Sequence, residues 1–334
     1  MSADSSSTTD PQTSSSTTTD TDTDTDTDTD TEQTGTGTTG MELCDQTNIE
    51  LPGDDFFPEG TAWDAEGTLY AASLATGSVA RATPCQSKTE QLVPSGGPLR
   101  NPLGMIVDDA NGWLIVCDSD LGFMEPPSID VLALDTGILA ATHDFDAVGI
   151  CNDLALDGDG NVYATESIGG RVMRVRADDL ARDTPAQTWA TDPDFAVGMG
   201  EFGLNGIAYD DDASLYVVNF QQGELHRIDI EDNGDAGAIT AITLDAPLAN
   251  PDGMKWRGDG ELWVIEQGLS AISRITLDGD SASAEIVADG LDIPTTFALI
   301  DGSAWIAEGQ LDHMPAFGGD GASEPPFVVT RVDP

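Results

Sequence analysis

The sequence predicts an all-β protein: one six-bladed β-propeller with four-stranded blades, preceded by a disordered N-terminal tail. Three observations lead to this prediction. A unit of about 47 residues recurs six times along the chain. Each unit has the turn residues and the alternating polarity of short β-strands. No long stretch shows the periodicity of an amphipathic helix.

The tail is recognised by its composition. Residues 1–40 are almost entirely Ser, Thr, Asp and Gly, and they include six consecutive Thr-Asp units from Thr19 to Asp30. They contain no Leu, Ile, Val or aromatic residue, so no apolar burial can offset the entropy cost of ordering the backbone. We therefore predict that residues 1–42 form a disordered tether and that residues 43–334 form the propeller.

The propeller is recognised by its repeat, in which an apolar strand is followed by a polar turn with Asp and Gly and then by a second strand. The aligned residues near the middle of the second strands are Tyr70, Ile115, Tyr163, Tyr216, Trp263 and Trp305. Successive aligned residues are 45, 48, 53, 47 and 42 positions apart. A third, alternating strand (for example residues 170–176) and a weaker fourth (residues 238–244) complete the unit, as in a propeller blade. A β-sandwich, the main alternative, does not explain the period. We expect residues 47–51 to supply the outer strand of the last blade.

The charge of the chain limits its partners. The 334 residues include 61 acidic and 12 basic side chains, and the formal net charge is −49. Nine acidic and no basic residues lie within positions 1–40, so the rest of the chain carries −40. Such a surface cannot neutralise phosphates, and we expect no binding to nucleic acid or anionic membranes. We expect a monomer whose partner is a small-molecule substrate.

The location of the protein is inferred from the tail. No segment has the length and hydropathy of a transmembrane span. Met1 leads directly into the polar tail, so we expect no signal peptide within this sequence. A long Ser/Thr/Asp tether is nevertheless typical of exported bacterial lipoproteins. We expect a periplasmic or cell-surface protein whose signal segment and lipid-bearing Cys have been trimmed, and we favour this over the cytoplasm.

The four cysteines have no metal-binding spacing. Cys44 and Cys85 flank the first blade and could form a disulfide in an oxidising compartment. Cys117 ends a predicted strand and Cys151 precedes a candidate site residue. We expect both of these to be buried thiols.

Candidate functional residues share one position in the repeat. Counting back eleven residues from each aligned residue reaches Glu59, Asn152, Asn205 and Asp252 in four blades. Blade two gives Gly104, and blade six, with its shorter turn, falls near Pro294. This position begins the innermost strand, where all blades approach the propeller axis. We therefore expect the four oxygen-bearing side chains to converge.

Two carboxylates and two amide oxygens suit a hard divalent cation. Calcium is the favoured ion, because it takes six to eight oxygen ligands and tolerates irregular geometry. Zinc, manganese and magnesium are the other candidates, although no Cys or His of a typical zinc site occupies these positions. Strand-entry capping by Asn and Asp is the alternative explanation, but it does not predict four blades in register.

These residues lie in motifs that resemble the senescence marker protein/gluconolactonase/luciferin-regenerating enzyme (regucalcin-like) family. The motifs are PEGTAWD (58–64), ND (152–153), LNG (204–206) and NPDGM (250–254), and the resemblance covers about residues 52–310. It implies that Glu59, Asn205 and Asp252 ligate a divalent metal, with Asn152 beside the metal. The same arrangement occurs in calcium-dependent lactonases and organophosphate-hydrolysing propellers, so the motif does not fix the substrate. An arginine common near the Asn152 motif in gluconolactonases is absent here.

The expected activity is metal-dependent opening of a lactone or related ester. In this reading the cation polarises the carbonyl, Asp252 accepts a proton from the attacking water, and Asn152 contacts the substrate. A non-catalytic, calcium-stabilised binding propeller of the cell envelope and a phosphotriester hydrolase are the alternatives. Loop residues expected near the same mouth, and thus candidates for the substrate pocket, are Asp118, Glu166, Asn219, Glu266 and His313.

Overall fold

The structure, a computed structural model, describes residues 46–83 and 85–333. These residues form 24 β-strands. In chain order the first twelve are β1 Asn48–Glu50, β2 Pro58–Trp63, β3 Leu69–Ser73, β4 Val79–Ala82, β5 Glu90–Val93, β6 Asn101–Asp108, β7 Trp113–Ser119, β8 Ser128–Ala133, β9 Leu139–Asp144, β10 Cys151–Leu156, β11 Val162–Glu166 and β12 Arg171–Val175. The others are β13 Gln187–Thr191, β14 Leu204–Tyr209, β15 Ser214–Asn219, β16 Glu224–Ile230, β17 Ala236–Leu244, β18 Pro251–Gly258, β19 Glu261–Glu266, β20 Ala271–Asp278, β21 Ser281–Asp289, β22 Pro294–Ile300, β23 Ser303–Glu308 and β24 Val328–Val332.

The only helices in the described part of the chain are single 3₁₀ turns within loops. They are Ala177–Asp179, Pro193–Phe195, Gln267–Leu269, Leu311–His313 and Pro315–Phe317. None of them has the length and hydropathy to cross a membrane. The all-β prediction is therefore confirmed for residues 46–83 and 85–333. The predicted disordered tether, residues 1–42, lies outside the described residues.

The strands form a propeller-like arrangement of five sheets, in which all neighbouring strands but one pair are antiparallel. Four sheets have four strands each, in the orders β2-β3-β4-β5, β6-β7-β8-β9, β10-β11-β12-β13 and β1-β24-β23-β22. The fifth has eight, β14-β15-β16-β17-β21-β20-β19-β18, and a parallel pairing of only two residues joins its halves at β17 and β21.

The chain closes on itself in two ways. The inner strands β2, β6, β10, β14, β18 and β22 each contact the next, and β22 contacts β2. At the outer edge, β1 pairs antiparallel with β24, where Ile49 lies opposite Val329. The expectation that residues 47–51 supply the last outer strand is thus confirmed. Such a closure leaves no long unpaired edge at the junction of the two termini.

The apolar core lies largely between neighbouring sheets. One cluster brings Tyr163 of the third sheet against Leu215 of the next, and another joins Trp263 to Phe297. The aligned residues that defined the repeat, including Tyr70 and Trp305, are all buried. The sequence period thus reflects one core position repeated around the ring.

The cysteine prediction was wrong for one pair. Cys117 and Cys151 are not thiols but form a disulfide, with a Cα–Cα distance of 5.1 Å, which links β7 to the neighbouring inner strand β10. The two positions are 34 residues apart in sequence and meet only because adjacent sheets pack side by side. Cys85 is also disulfide-bonded. Its predicted partner, Cys44, lies outside the described residues.

We predict that replacing both Cys117 and Cys151 by Ala lowers the free energy of unfolding by about 3 kcal/mol, because the unfolded chain loses a cross-link that closes a loop of this length. Urea unfolding of both proteins under oxidising conditions measures the difference. Equal midpoints and equal slopes would contradict a stabilising role for this disulfide.

Asp130 in β8 is a buried carboxylate without a basic partner. It is 3 % exposed, and its Oδ1 has no hydrogen-bond partner among the described residues. Burial raises the pKa of Asp130 to about 7, and the nearby Asp118 carboxylate adds to the shift. Between about pH 4 and pH 7 the folded protein therefore holds a proton that the unfolded chain releases. The free energy of unfolding falls as the pH rises through this window.

We predict that Asp130→Asn removes this loss, so that the variant is more stable than the parent by about 2 kcal/mol at pH 8 and gains nothing at pH 4. Thermal unfolding at several pH values gives the comparison. Asp135→Asn, which changes an exposed aspartate two residues beyond β8, is the matched control. A constant difference between Asp130→Asn and the parent across this range would refute the assignment.

Candidate active site

Every inner strand begins with the same irregularity. In β2 the pairing shifts from Pro58–Ser73 to Thr61–Ala71, so two residues of β2 face one of β3. The same shift occurs in β6, β10, β14, β18 and β22. A β-bulge of this kind re-aims a side chain out of the regular alternation. The first bulge residues are Glu59, Leu103, Asn152, Asn205, Asp252 and Thr295.

Four of these six residues were predicted, and two were displaced by one position. Leu103 stands where Gly104 was expected, and Thr295 where Pro294 was expected. Turn length explains both shifts. Paired residues across the first turn are nine apart at Ile106–Ile115 and seven apart at Ala298–Trp305, against eight in the first sheet. Counting back eleven residues therefore stops one residue short of Leu103 in the sheet of β6 and goes one residue past Thr295 in the sheet of β22.

The second bulge residue allows the inner strands to approach closely. A Cβ atom on Gly60 would lie 1.9 Å from the carbonyl oxygen of Leu103, and one on Gly206 would lie 2.2 Å from that of Asp252. Real Cβ atoms do not come so near a backbone oxygen. Glycine after the site residue is therefore what lets neighbouring site residues converge.

The four predicted oxygen-bearing residues line one cavity of about 250 Å³. Glu59, Asn152, Asn205 and Asp252 come from four different inner strands and are each at most 6 % exposed. Leu103 of β6 lines the same cavity. The convergence expected from the repeat is therefore present in the structure.

Several oxygen atoms in this cavity lack protein partners. Within the described part of the chain, Glu59 Oε2 and Asn205 Oδ1 are buried and accept no hydrogen bond. Asp252 Oδ2 accepts one from Gln267 Nε2 at 3.1 Å. Buried acceptors without donors are costly unless a ligand satisfies them.

The two carboxyl groups of the cavity resist ionisation. Burial raises the pKa of Glu59 well above its usual value, and Asp252 and Asp153 raise it further. Burial also raises the pKa of Asp252, with Asp153 adding to the effect. Lys255 opposes both shifts. A cation bound between the carboxylates would remove the cost of charging them.

The donor set fits a hard divalent cation. Two carboxylates and two amide oxygens face one space, and two of these oxygens have no partner among the residues that the structure describes. Among the described residues no cluster of three or more His, Cys, Asp or Glu side chains could hold a metal. Any ion here would thus depend on the amide oxygens of Asn, which suit calcium better than zinc.

The walls of the cavity are mostly apolar, and none of the described residues that line it is basic. The apolar lining residues are Leu74, Leu103, Leu121, Ile150, Phe202, Phe220, Ile293, Leu311 and Phe317. Phe317, in the long segment between β23 and β24, is 40 % exposed and so lies at the surface. The cavity therefore has a polar floor, formed by Glu59, Asn152, Asn205 and Asp252, and mostly apolar walls.

The other predicted pocket residues are not among those that line the cavity. Asp118 is buried and paired with Arg100 at 2.6 Å, and it also accepts the backbone N–H groups of Arg100 and Asn101. Glu166 accepts the N–H groups of Ile168 and Gly169. These side chains fix the loops between strands.

Glu266, Asn219 and His313 are likewise engaged elsewhere. Glu266 accepts hydrogen bonds from the Ala249 N–H and the Ser273 hydroxyl, and Asn219 accepts one from the Gln222 N–H. His313 Nδ1 lies 3.5 Å from Asp320 Oδ1.

The neighbours of these three residues line the cavity instead. Phe220 follows Asn219, Gln267 follows Glu266, and Asp312 precedes His313. Neighbouring residues at these strand ends and turns point in different directions, so a shift of one position exchanges the pocket residue for a loop-fixing residue. The sequence does not indicate which of two neighbouring residues lines the cavity.

The comparisons with known proteins agree with the geometry. The family described as "SMP-30/Gluconolactonase/LRE-like region" matches residues 57–304, which include all four residues of the cavity floor. The chain belongs to this family. Its resemblance to this family was thus correctly identified from the four motifs.

Solved structures of SMP-30/gluconolactonase/LRE-like and related proteins share the fold. A luciferin-regenerating enzyme matches with a TM-score of 0.62 and 16% identity, covering 86% of this chain and 95% of the other. A gluconolactonase from Xanthomonas campestris has a TM-score of 0.58 and 19% identity over 79% of this chain and 86% of that one. A calcium-binding regucalcin from Agrobacterium tumefaciens has a TM-score of 0.58 and 13% identity, with 86% and 96% covered. At these identities the likeness establishes the fold alone.

A curated relative is found in Arabidopsis thaliana, a strictosidine synthase-like 3 protein. It is 28% identical over 171 residues, which are 49% of this chain. The match spans 42% of the length of that relative.

We predict that Gly206→Ala destabilises the protein by about 2 kcal/mol or more, because the new methyl group would lie 2.2 Å from the Asp252 carbonyl oxygen of the neighbouring inner strand. Chemical denaturation measures the loss. The control is Gly158→Ala, where a Cβ atom would meet only the Tyr209 hydroxyl, at 3.7 Å. Equal destabilisation by both substitutions would contradict the proposed packing of the bulges.

Proposed function

We propose that this protein is a metal-dependent hydrolase that opens a lactone or a related ester at the cavity floor. One observation carries the proposal. Glu59, Asn152, Asn205 and Asp252 converge from four strands on one cavity, and two of their buried oxygens have no partner in the described chain. Membership of the SMP-30/gluconolactonase/LRE-like family supports a lactonase-like or calcium-binding propeller.

The proposal assumes that the ring consists of six blades. The eight-stranded sheet would count as two blades, because only Thr243–Ser281 and Leu244–Ala282 join its halves. Six blades then place six equivalent bulges around one axis. A site of this kind needs the ring, since no single blade supplies more than one floor residue.

The cation would be held by Glu59, Asn205 and Asp252, with Asn152 beside it. Calcium is the proposed ion, because its coordination number and preference for oxygen match this donor set. When bound, a divalent cation supplies Lewis-acid polarisation of the carbonyl group of the substrate.

The chain's own residues would move the proton. The oxygen of water attacks the lactone carbonyl carbon, and Asp252 accepts the proton that this water loses. The bond between the carbonyl carbon and the ring oxygen then breaks, and the proton passes to the departing oxygen to give a hydroxy acid. Gln267, which donates to Asp252 Oδ2, would orient the base. Asn152 would hold the substrate by a hydrogen bond from its amide.

The walls suggest the kind of lactone. Apolar side chains such as Leu74, Phe220 and Phe317 would contact the groups attached to the ring. No lysine or arginine among the lining residues would pair with an anionic substituent. We therefore propose an uncharged lactone or ester with alkyl or aryl groups rather than a polyhydroxylated sugar lactone.

We also propose that the protein functions in an oxidising compartment outside the cytoplasm. The Cys117–Cys151 disulfide and the disulfide-bonded state of Cys85 support this. The acidic net charge of −49 is compatible with an exposed, highly solvated surface.

We predict that the purified protein hydrolyses alkyl- or aryl-substituted lactones, that a chelator abolishes the activity, and that calcium restores it. Asp252→Asn should lower kcat at least about 100-fold with an unchanged circular dichroism spectrum, because the base is lost. Asp211→Asn, an exposed aspartate that lines a different cavity, should leave kcat unchanged.

Two results would contradict the proposal in different ways. Calcium binding without hydrolysis of any lactone, aryl ester or phosphotriester would favour a binding propeller over an enzyme. Hydrolysis that survives both the chelator and Asp252→Asn would place the reaction elsewhere in the molecule.

A further inference from the structure

Two rings of inner-strand residues, which we call the channel, lie beneath the cavity floor, and eight of their twelve members are Gly or Ala. The second bulge residues of the six inner strands are Gly60, Gly104, Asp153, Gly206, Gly253 and Thr296. The residues two positions further along are Ala62, Ile106, Ala155, Ala208, Lys255 and Ala298. Asp153 and Lys255 are the charged exceptions in these two rings.

The two charged exceptions form an ion pair with each other. Lys255 Nζ lies 3.3 Å from Asp153 Oδ2, although the residues are 102 positions apart and belong to β18 and β10. Their side chains are 11% and 5% exposed. Eight of the other ten ring positions are Gly or Ala, which indicates that ring closure needs no long side chain at these positions. A buried ion pair is costly to desolvate and is weak evidence of a stabilising role.

The charges of this ion pair act on the two carboxyl groups of the cavity floor. Asp153 follows Asn152 directly, and its charge acts on both Glu59 and Asp252, as does that of Lys255. Lys255 also lines a second cavity of about 330 Å³, whose other charged residues, Asp109 and Asp211, are exposed to solvent. With Glu59 and Asp252 ionised, as they would be around a bound cation, the buried groups of the channel are three carboxylates and one ammonium, a total of −2.

We propose that Lys255 determines the charge selectivity of the cation site by holding the net buried charge at −2. This rests on the cation site of the proposed function. A divalent ion makes the channel neutral, whereas a trivalent ion leaves an excess positive charge in a buried environment. Lys255 thus acts as a resident cation that weakens binding of every added cation, and it weakens binding of a trivalent ion most.

The test uses four proteins that differ in the net charge of the channel. The parent has −2, Lys255→Met has −3, Asp153→Asn has −1, and the double variant returns to −2. Calcium alone and terbium alone are titrated by calorimetry at pH 8 and constant ionic strength. Lys88→Met is the matched control, because Lys88 is the other lysine of the chain and is 71% exposed.

We expect Lys255→Met to bind calcium about tenfold more tightly than the parent and to gain more for terbium, so that the terbium-to-calcium affinity ratio rises about tenfold. Asp153→Asn should bind calcium about tenfold more weakly. The double variant should return to within about threefold of the parent, and Lys88→Met should not differ from it. If Lys255→Met does not fold, the single Asp153→Asn change and its reversal in the double variant still decide the question.

The outcomes separate this inference from the function on which it rests. If the parent binds calcium and Lys255→Met binds it equally or more weakly, the selectivity role of Lys255 is wrong while the cation site stands. A double variant weaker than both single variants would show that the contact itself, rather than the net charge, matters, and would also overturn the proposal. Failure of the parent to bind either ion would overturn both.

Discussion

The repeated β-bulge at the start of each inner strand is the constraint on which the rest of this structure depends. A regular strand would alternate its side chains between the two faces of its sheet. The bulge breaks this alternation at one place and turns residues such as Glu59 and Asp252 toward the axis. In four of the six strands a glycine follows, and it removes the methyl group that would hold neighbouring strands apart; Asp153 and Thr296 follow in the other two. Ring geometry and site geometry are thus set by the same two residues of each strand.

This arrangement costs stability in the protein alone. Two carboxyl groups whose pKa values are raised by burial line one cavity, and two buried oxygens have no donor within residues 46–83 and 85–333. A sequence selected only for folding would place apolar residues here, as it does at Leu103. Local conflicts with otherwise consistent folding rules are concentrated at functional sites in proteins. The conflict is therefore itself an argument that the cavity binds a cation.

The sequence predicted the features that recur in every unit of the repeat. It did not predict the features that occur in only one unit or in the loops. Four floor residues and the outer strand near Ile49 followed from a period that the core enforces in every sheet. The displacement to Leu103 and Thr295 came from single-residue changes in turn length, which a fixed count cannot follow. The disulfide of Cys117 with Cys151 depends on which sheets are neighbours, a property of the closed ring rather than of local sequence. The apolar walls come from loops without a period, so no alignment of units could identify them.

Part of the cavity wall comes from a later region of the chain than the residues of the floor. The family match ends at residue 304, and the floor residues all lie before it. Leu311, Asp312 and Phe317, which line the cavity, come from the segment between β23 and β24 beyond that boundary. A conserved fold commonly hosts different substrates through changes in its loops. The floor therefore lies within the residues that the family match covers, while the part of the wall built after Glu308 lies beyond them.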